Sequence, residues 1–325
     1  MKLLVTGGAG FIGSNFIHYW LAEHPEDFVR NFDALTYAGN LESLADIVEN
    51  PRYEFMRGDI TDASAVALAL QDMDTVVHFA AESHNDRAAT NPGIFVQTNV
   101  VGTYTLLEAA RQAGIKRFHH VSTDEVYGSL ELGSDNRFNE LTPYDPRSAY
   151  SASKAGSDHL ARAYFHTFGL PVTVSNTSNN YGPYQHPEKF LPTMISNAAN
   201  NRPLPVYGDG LNVRDWIHVL DHCRGIDAVL QRGVIGDSYC LGNDTEWPNI
   251  DVVHEILKIL GKPESLISYV KDRPGHDRRY ATDSSKARQE LGWSCEYGFV
   301  KGLRQTIEWY VANQEWVEKV RAKEA

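Results

Sequence analysis

The sequence predicts an α/β protein: a doubly wound parallel sheet joined to a smaller C-terminal α/β lobe. Three observations predict it. Strand-length apolar runs alternate with longer helical patterns through the first half, several of those runs are nearly continuous Val, Ile, Leu and Phe, and a glycine-rich loop follows the first of them. Strands with no polar face are buried on both sides, as in a parallel sheet covered by helices. The repeated strand–helix order implies right-handed crossovers, which place helices on both faces.

The elements follow in order. "KLLVTG" reads as the first strand and "FIGSNFIHYWLAEH" as the first helix; "FVRNFD" is a strand, with a helix near "NLESLADIV" and a strand at "YEFMRGD". Next come a helix at "ASAVALALQ", a strand at "DTVVHFAA", a long helix through "IFVQTNVVGTYTLLEAARQAG", a strand at "KRFHHVS", a helix from about Ala149, and a strand at "PVTVSN". After residue 178 the rhythm breaks at "NNYGPYQHPEKF", a loop rich in Asn, Gly, Pro and Tyr. Residues 1–178 are therefore expected to form the cofactor domain, with 213–242 returning to its sheet, and 179–325 to form the substrate lobe. "DVVHEILKILG" and "YGFVKGLRQTIEWYVAN" supply that lobe's helices, the first stopped by Gly261, and Trp309 and Trp316 are expected to fill its core.

At 325 residues, 42% hydrophobic and 22% charged, the chain has the composition of a soluble globular protein. A net charge of -12 argues against wrapping nucleic acid, which needs clustered Lys and Arg. Three cysteines, odd in number and without a CxxC pair, predict reduced thiols in a cytoplasm, with no disulfide framework and no metal site. The adjacent His119 and His120 lie within a strand and read as structural. The opening strand leaves no room for a leader, and no apolar run approaches the roughly 18 residues a membrane span needs, so a soluble cytoplasmic protein without membrane contact is expected.

"TGGAGFIG" carries two overlapping glycine patterns, Gly8-x-Gly10-x-x-Gly13 and Gly7-x-x-Gly10-x-x-Gly13. Glycines between a strand and a helix allow a tight turn. They also let backbone N–H groups and the positive helix end approach a pyrophosphate. Asp33 closes the second strand, where a carboxylate accepts from a ribose diol and repels a 2′-phosphate, favouring NAD over NADP. The fold is thus Rossmann-like. Asp59, after the third strand, is placed to meet the adenine edge.

"SAYSASKAGSDHL" sets Tyr150 and Lys154 four residues apart on one helix face. A free tyrosine has a pKa of about 10, too high for a base at neutral pH, and an ammonium one turn away stabilises the phenolate. Thr123 ends the preceding strand as a hydroxyl partner. Directly after it stand two acids, Asp124 and Glu125. At about 4 Å and an effective dielectric near 20, two negative charges repel by roughly 4 kcal/mol, enough to hold one of them protonated. The residues alone leave open which one.

The glycine loop and the tyrosine–lysine pair resemble those of the extended short-chain dehydrogenase/reductase family, whose members act on nucleotide-linked sugars with bound NAD. "STDEVYG", "LTYAGN", "AAESH", "SNNYGPYQHPEK" and "RPGHDRRYA" are similar to the motifs of that family's dTDP-glucose 4,6-dehydratases, over essentially the whole chain. An epimerase of the family needs only the tyrosine and a hydroxyl residue. Two further acids fit a redox-neutral dehydration, in which C4 oxidation acidifies the C5 hydrogen and the C6 hydroxyl leaves as water. The resemblance implies Asp124 as the acid, Glu125 as the C5 base, Tyr150 as base for the C4 hydroxyl, supported by Lys154, and Thr123 as a positioning hydroxyl.

The resemblance further implies NAD contacts at Gly7, Gly10, Phe11, Ile12, Gly13, Asp33, Leu35, Thr36, Asp59, Ile60, Ala80, Ala81, Thr98, Tyr150, Lys154 and Asn180. Substrate contacts are expected at Ser83, Thr123, Asn179, Lys189, Phe190, Pro205, Tyr207, Arg214, Asn249, Arg273 and His276. Arg214, Arg273, His276 and Lys189 are candidates for the diphosphate, since an acidic protein must place its cations locally. Thymine preference follows from the resemblance alone. The helices around 94–112 and 150–168 resemble those that form a homodimer bundle. Asn85, Ala149 and Thr177 depart from the family's usual residues. The competing readings are a 4-epimerase, a dehydratase for another nucleotide, and a non-catalytic NAD-binding scaffold.

Overall fold

A computed structural model describes residues 1–84, 91–272 and 276–322. The first half runs β1 (Lys2–Thr6), α1 (Phe11–Glu23), β2 (Phe28–Asp33), β3 (Tyr53–Arg57), α2 (Ala63–Ala69), β4 (Thr75–His78), α3 (Thr103–Ala113), β5 (Arg117–Thr123), α4 (Ala149–Phe168) and β6 (Val172–Thr177). Then follow β7 (Asn179–Tyr181), α5 (Phe190–Ala199), β8 (Leu204–Tyr207), β9 (Val213–His218), α6 (Val219–Arg232), β10 (Ser238–Leu241) and β11 (Glu246–Pro248). The chain closes with α7 (Asn249–Leu260), β12 (Ile267–Val270), α8 (Ser285–Leu291), α9 (Phe299–Ala312) and α10 (Gln314–Ala322).

Seven strands form one sheet in the order β10-β6-β5-β4-β1-β2-β3, with every neighbouring pair parallel. Alternate residues face opposite layers. Leu3 and Val5 of β1 pack with Phe16, Ile17 and Trp20 of α1 and with Ile226 and Leu230 of α6. Leu4 packs on the other side with Leu106 and Leu107 of α3 and Ala161 and Tyr164 of α4. Burial on both faces is why these strands lack a polar side, and each buried Leu or Phe is worth about 1.5–3 kcal/mol. The chain crosses from β3 to β4, on opposite sides of β1, so a crevice opens where the carboxyl ends of β1 and β4 diverge.

The second core lies in the smaller lobe. β9 joins β7 and β11 in a three-stranded sheet, β8 pairs with β12, and α5, α7 and α9 cover them. Met194, Ile195, Val206, Trp216, Ile256, Leu303 and Ile307 make its interior, with Trp309 and Trp316 packed against it. The segment 213–242 is split: β9 belongs to the small sheet, whereas β10 pairs with β6 of the large one. Gly261 caps α7 at φ 63°.

Two elements differ from the simple periodic reading. "LESLADI" forms a 3-10 helix, started by the Asn40 side chain accepting from Glu42 N and stopped within seven residues. The helix before α3 widens to π geometry over Val96–Gly102. A Cβ at Gly102 would stand 2.6 Å from Ile60 carbons, so the small residue lets this helix lie against the loop after β3.

Candidate active site

The cleft is floored by the loop after β1. Gly7 sits at φ +70°, its N–H donates to Phe32 O (3.0 Å), and its carbonyl accepts from Gly10 N (3.1 Å). A Cβ on Gly7 would stand 2.6 Å from Ala80 N, so the β1 and β4 loops could not meet there with any other residue. Gly7, Gly10 and Gly13 line the cleft, together with Phe11 and Ile12. Gly8 instead faces Asn31 and Ile17 in the interior, so of the two overlapping patterns Gly7-x-x-Gly10-x-x-Gly13 faces the cleft. α1 starts without a side-chain cap or an acid in its first turn, leaving its leading N–H groups available to an anion.

Asp33, at the tip of β2, is buried, and its two oxygens accept from Ala9 N (2.9 Å) and Leu35 N (2.8 Å). Burial pushes its carboxyl upward and those two bonds oppose the rise. Leu35 makes this bond at φ 54° and lies beside Thr36 on the rim, outside the main cleft. Asp59 lines the cleft and folds back to accept from Thr61 N and Oγ1, both at 2.8 Å. Thr36, Ile60, Ala80, Ala81, Ser83 and Thr98 complete this wall, Thr98 from the π-helical segment.

The tip of β5 carries the acids. Thr123 Oγ1 accepts from Glu125 N (3.2 Å) and caps a 3-10 turn over Asp124–Tyr127. That turn sends the two carboxylates to different places. Asp124 is 1% exposed and receives long hydrogen bonds from Thr123 Oγ1 (3.4 Å) and Thr282 Oγ1 (3.5 Å), whereas Glu125 is partly exposed in the cleft. Burial pushes the Asp124 carboxyl well above its ordinary range; Glu125 and Asp215 add to the rise, and Arg214 opposes it. Asp124 therefore holds a proton where an ordinary aspartate has lost it.

α4 brings the tyrosine and lysine beneath the same turn. Ser148 and Ser151 exchange bonds in a capping box, each backbone N–H donating to the other hydroxyl at 3.0 Å, which fixes the first turn at Tyr150. Lys154 Nζ donates to Val121 O (2.8 Å) and is buried, which lowers its pKa to about 8 against the opposing pull of Asp158. The expected lowering of Tyr150 by Lys154 does not appear in the protein alone. Burial pushes the phenol up, Glu125 adds to it, and a hydrogen bond with Thr123 only partly opposes the rise. The lysine's ammonium donates instead to a backbone carbonyl of β5, and the charge that acts most on the phenol is that of Glu125.

The opposite wall comes from the segment after β6. Asn180 is oriented by His222 Nδ1 (3.0 Å) and donates to Thr177 Oγ1 (3.0 Å); Lys189 Nζ donates to Ser83 O (3.2 Å). Asn179 Oδ1 and Ser178 Oγ line the cleft and are buried without a hydrogen-bond partner among the described residues. Buried polar atoms at the wall of a cleft are positions where a ligand or a water can supply the missing bond.

The remaining predicted contacts lie on the small lobe beyond this lining. Phe190 stacks on Trp216 at 6.1 Å, Pro205 and Tyr207 lie on β8, and Asn249 Oδ1 at the start of α7 is another unpartnered buried acceptor. Arg214 donates to Val213 O (2.8 Å) and Asp277 O (2.9 Å) over the Tyr280 ring at 4.3 Å. Its influence on Asp124 ties the small lobe to the β5 tip. His276 bonds Asp272 at 2.7 Å and meets Tyr207 edge-on. Arg273 and Asn85 lie outside the described residues. Glu82, Ser178, Tyr37 and Glu188, absent from the sequence expectations, also line the cleft; they lie in "AAESH", "SNNYGPYQHPEK" and "LTYAGN", whose resemblance to the family's motifs is the signal that points to them. His119 and His120 are buried between Thr173, Ser175, Ser157 and Asp158, in keeping with a structural role.

Residues 4–306 match a family model described as GDP-mannose 4,6 dehydratase. The chain is 52% identical over 337 residues to the dTDP-glucose 4,6-dehydratase of Xanthomonas campestris pv. campestris strain B100, covering 98% of this chain and 95% of that one. It superposes on the dTDP-glucose 4,6-dehydratase DesIV of Streptomyces venezuelae, solved with NAD and TYD bound, with a TM-score of 0.95 at 48% identity, covering 98% of this chain and 100% of that one. The Bacillus anthracis dTDP-glucose 4,6-dehydratase in complex with NAD gives 0.92 at 47% identity, over 98% and 99%. With this identity sustained along its length, and the glycine loop, the tyrosine–lysine pair and the two acids around one crevice, the chain belongs to the dTDP-glucose 4,6-dehydratase family.

Proposed function

We infer that this protein converts dTDP-glucose to dTDP-4-keto-6-deoxyglucose, a redox-neutral dehydration carried out with tightly bound NAD. The observation that carries the reading is the unequal setting of two adjacent acids: Asp124 buried and proton-holding, Glu125 facing the cleft. Unmatched Ser178 Oγ, the diol-ready Asp33 and the open N-terminus of α1 fit a dinucleotide lying across the β1–β4 crevice. When bound, the nicotinamide takes up a hydride from sugar C4 and gives it back to C6.

The chain's residues do the rest. Tyr150 receives the proton of the C4 hydroxyl, with Lys154 stabilising the phenolate and Thr123 orienting the sugar through its hydroxyl. The C4 ketone acidifies C5–H; Glu125 removes that proton while Asp124 protonates the C6 hydroxyl, which departs as water. After hydride reaches C6, Glu125 returns a proton to C5. Asp124 suits its part because a carboxyl must hold a proton to donate one, and burial keeps it there. The phenol of Tyr150, raised by burial, needs the positive nicotinamide and Lys154 together to become a base.

We assign residues 1–178, together with α6 and β10 of the returning segment, to NAD, and the rest of 179–325, β9 included, to the nucleotide sugar. Lys189, Arg214 and His276 are assigned to the diphosphate, as is Arg273 on the resemblance of its motif alone, and Asn179 and Asn249 use their unmatched oxygens on the ligand. Exposed Val96, Val101, Tyr104 and Phe168, on the helix before and within α3 and on α4, support a homodimer formed through those helices. No helix among the described residues is long and apolar enough to cross a membrane. The free thiols of Cys223, Cys240 and Cys295 support a cytoplasmic location.

The test is incubation with dTDP-glucose and no added reductant. A product lighter by one water supports the reading, and an unchanged mass sinks it. Competition by UDP- and GDP-linked glucose reads the nucleotide preference separately.

A further inference from the structure

We propose that Asp158 is a positioning residue of this site: a buried carboxylate that keeps Lys154 charged and ties α4 to the tip of β5. The proposal rests on the dehydratase reading, which gives Lys154 its task.

Asp158 is fully buried, two turns along α4 from Tyr150 and one from Lys154. Its Oδ2 accepts from Ser122 Oγ (2.8 Å), Tyr144 OH (2.8 Å) and Asn176 Nδ2 (3.2 Å). Its Oδ1 accepts from His120 Nε2 (3.1 Å), so that nitrogen carries the ring hydrogen. The donors come from β5, β6 and the segment before α4. Asn176 Nδ2 also donates to Thr123 O (3.2 Å), the residue that caps the acid-bearing turn. One carboxylate thus connects the helix bearing Tyr150 and Lys154 with the strand end bearing Thr123, Asp124 and Glu125.

So many donors are organised for an anion, since a neutral carboxyl would have to give up one of these bonds. Burial alone would push the Asp158 carboxyl up; the bonds from His120 and Ser122 and the charge of Lys154 outweigh it and leave the group below its ordinary value. An isolated buried ammonium is strongly disfavoured, so Lys154 needs a counter-charge. The groups facing this pair are His78 from β4, His120 from β5, Asp124 and Glu125 from the following turn, Tyr144, and Tyr150 and Arg162 from α4. Burial lowers both histidines, His120 to about 4, which leaves them neutral; Asp124 holds its proton; Glu125 lies on the cleft side. Asp158, buried one turn along the same helix, is the anion whose charge opposes the effect of burial on the lysine. Nothing in the proposed chemistry has it touch substrate.

The experiment follows the Cε resonance of Lys154 in protein carrying carbon-labelled lysine, assigned by its absence from Lys154→Met. In Asp158→Asn the midpoint should fall by about one pH unit or more, a tenfold loss of proton affinity. The alkaline limb of dTDP-glucose turnover should move down with it. Asp158→Glu should keep the midpoint near that of the unaltered protein. An unmoved midpoint in folded Asp158→Asn, or equal movement in both variants, would overturn the proposal. Should Asp158→Asn not fold, Tyr144→Phe carries the test, because it removes one donor and keeps the charge. The acid inflection of the same resonance, reporting protonation of Asp158, should then rise, and a fixed inflection overturns the proposal. If the unaltered enzyme makes no product, the dehydratase reading fails while the resonance still judges Asp158.

Discussion

Asp124 and Glu125 are joined by one peptide bond, yet they occupy different dielectric surroundings, and the division of labour rests on that difference. Glu125→Gln leaves the tyrosine able to start C4 oxidation and blocks the next proton transfer. Reduced nicotinamide should accumulate on the enzyme by absorbance after substrate is added, while overall turnover drops about a hundred- to ten-thousand-fold. No reduced cofactor would show that the steps are not divided this way. Asp124 also makes a stability prediction. Its folded pKa lies well above the ordinary value. Between the two values the native state keeps a proton that the unfolded chain has lost, so stability falls as pH rises through that window. Asp124→Asn removes this slope, so its melting temperature should exceed that of the unaltered protein by a margin growing with pH, about 2 °C for each kcal/mol relieved. The pair was legible in the sequence as a pair. Which member is protonated was not, because Thr282, Asp215 and Arg214, which surround Asp124, are distant in the chain and meet it only in the fold. Asp158 was illegible for the same reason: its donors come from three separate segments.

The helix α4 shows how an element carries chemistry. Ser148 and Ser151 close its first turn just before and just after Tyr150. Ser148→Ala should cost about 1 kcal/mol of stability by thermal unfolding and lower turnover more than it raises the substrate requirement, because the frayed turn holds the tyrosine. A change in stability with turnover intact would mean that α4 is held by packing alone. The capping residues, the four-residue Tyr–Lys spacing and the Gly261 stop are local signals, and sequence reveals local signals. The π-widened segment Val96–Gly102 is different. Its last residue, Gly102, meets Ile60, a contact between residues far apart in the chain, and its apolar spacing is that of an ordinary helix.

At the scale of the whole molecule, the sheet order gathers the proposed cofactor contacts in one cleft and on its rim, at the carboxyl ends of β1 to β6, with Tyr150 and Lys154 added from α4. The alternation of strands and helices made this order readable, because apolar strands covered on both faces admit few topologies. The small lobe was less readable: its strands are three to six residues long and pair across long stretches of intervening chain, as β7 does with β9. Sedimentation should report a dimer, and Tyr104→Asp, which puts a charge among exposed apolar residues, should shift it toward monomer; a monomer from the start would remove the proposed pairing. The central claim is that one hydride leaves C4 and returns to C6 of the same sugar. It is tested most directly with dTDP-glucose bearing deuterium at C4, with the product read by mass spectrometry and proton NMR. Deuterium recovered on the C6 methyl of a product lacking one water is the predicted result. Deuterium still on C4, or lost to solvent, would contradict it.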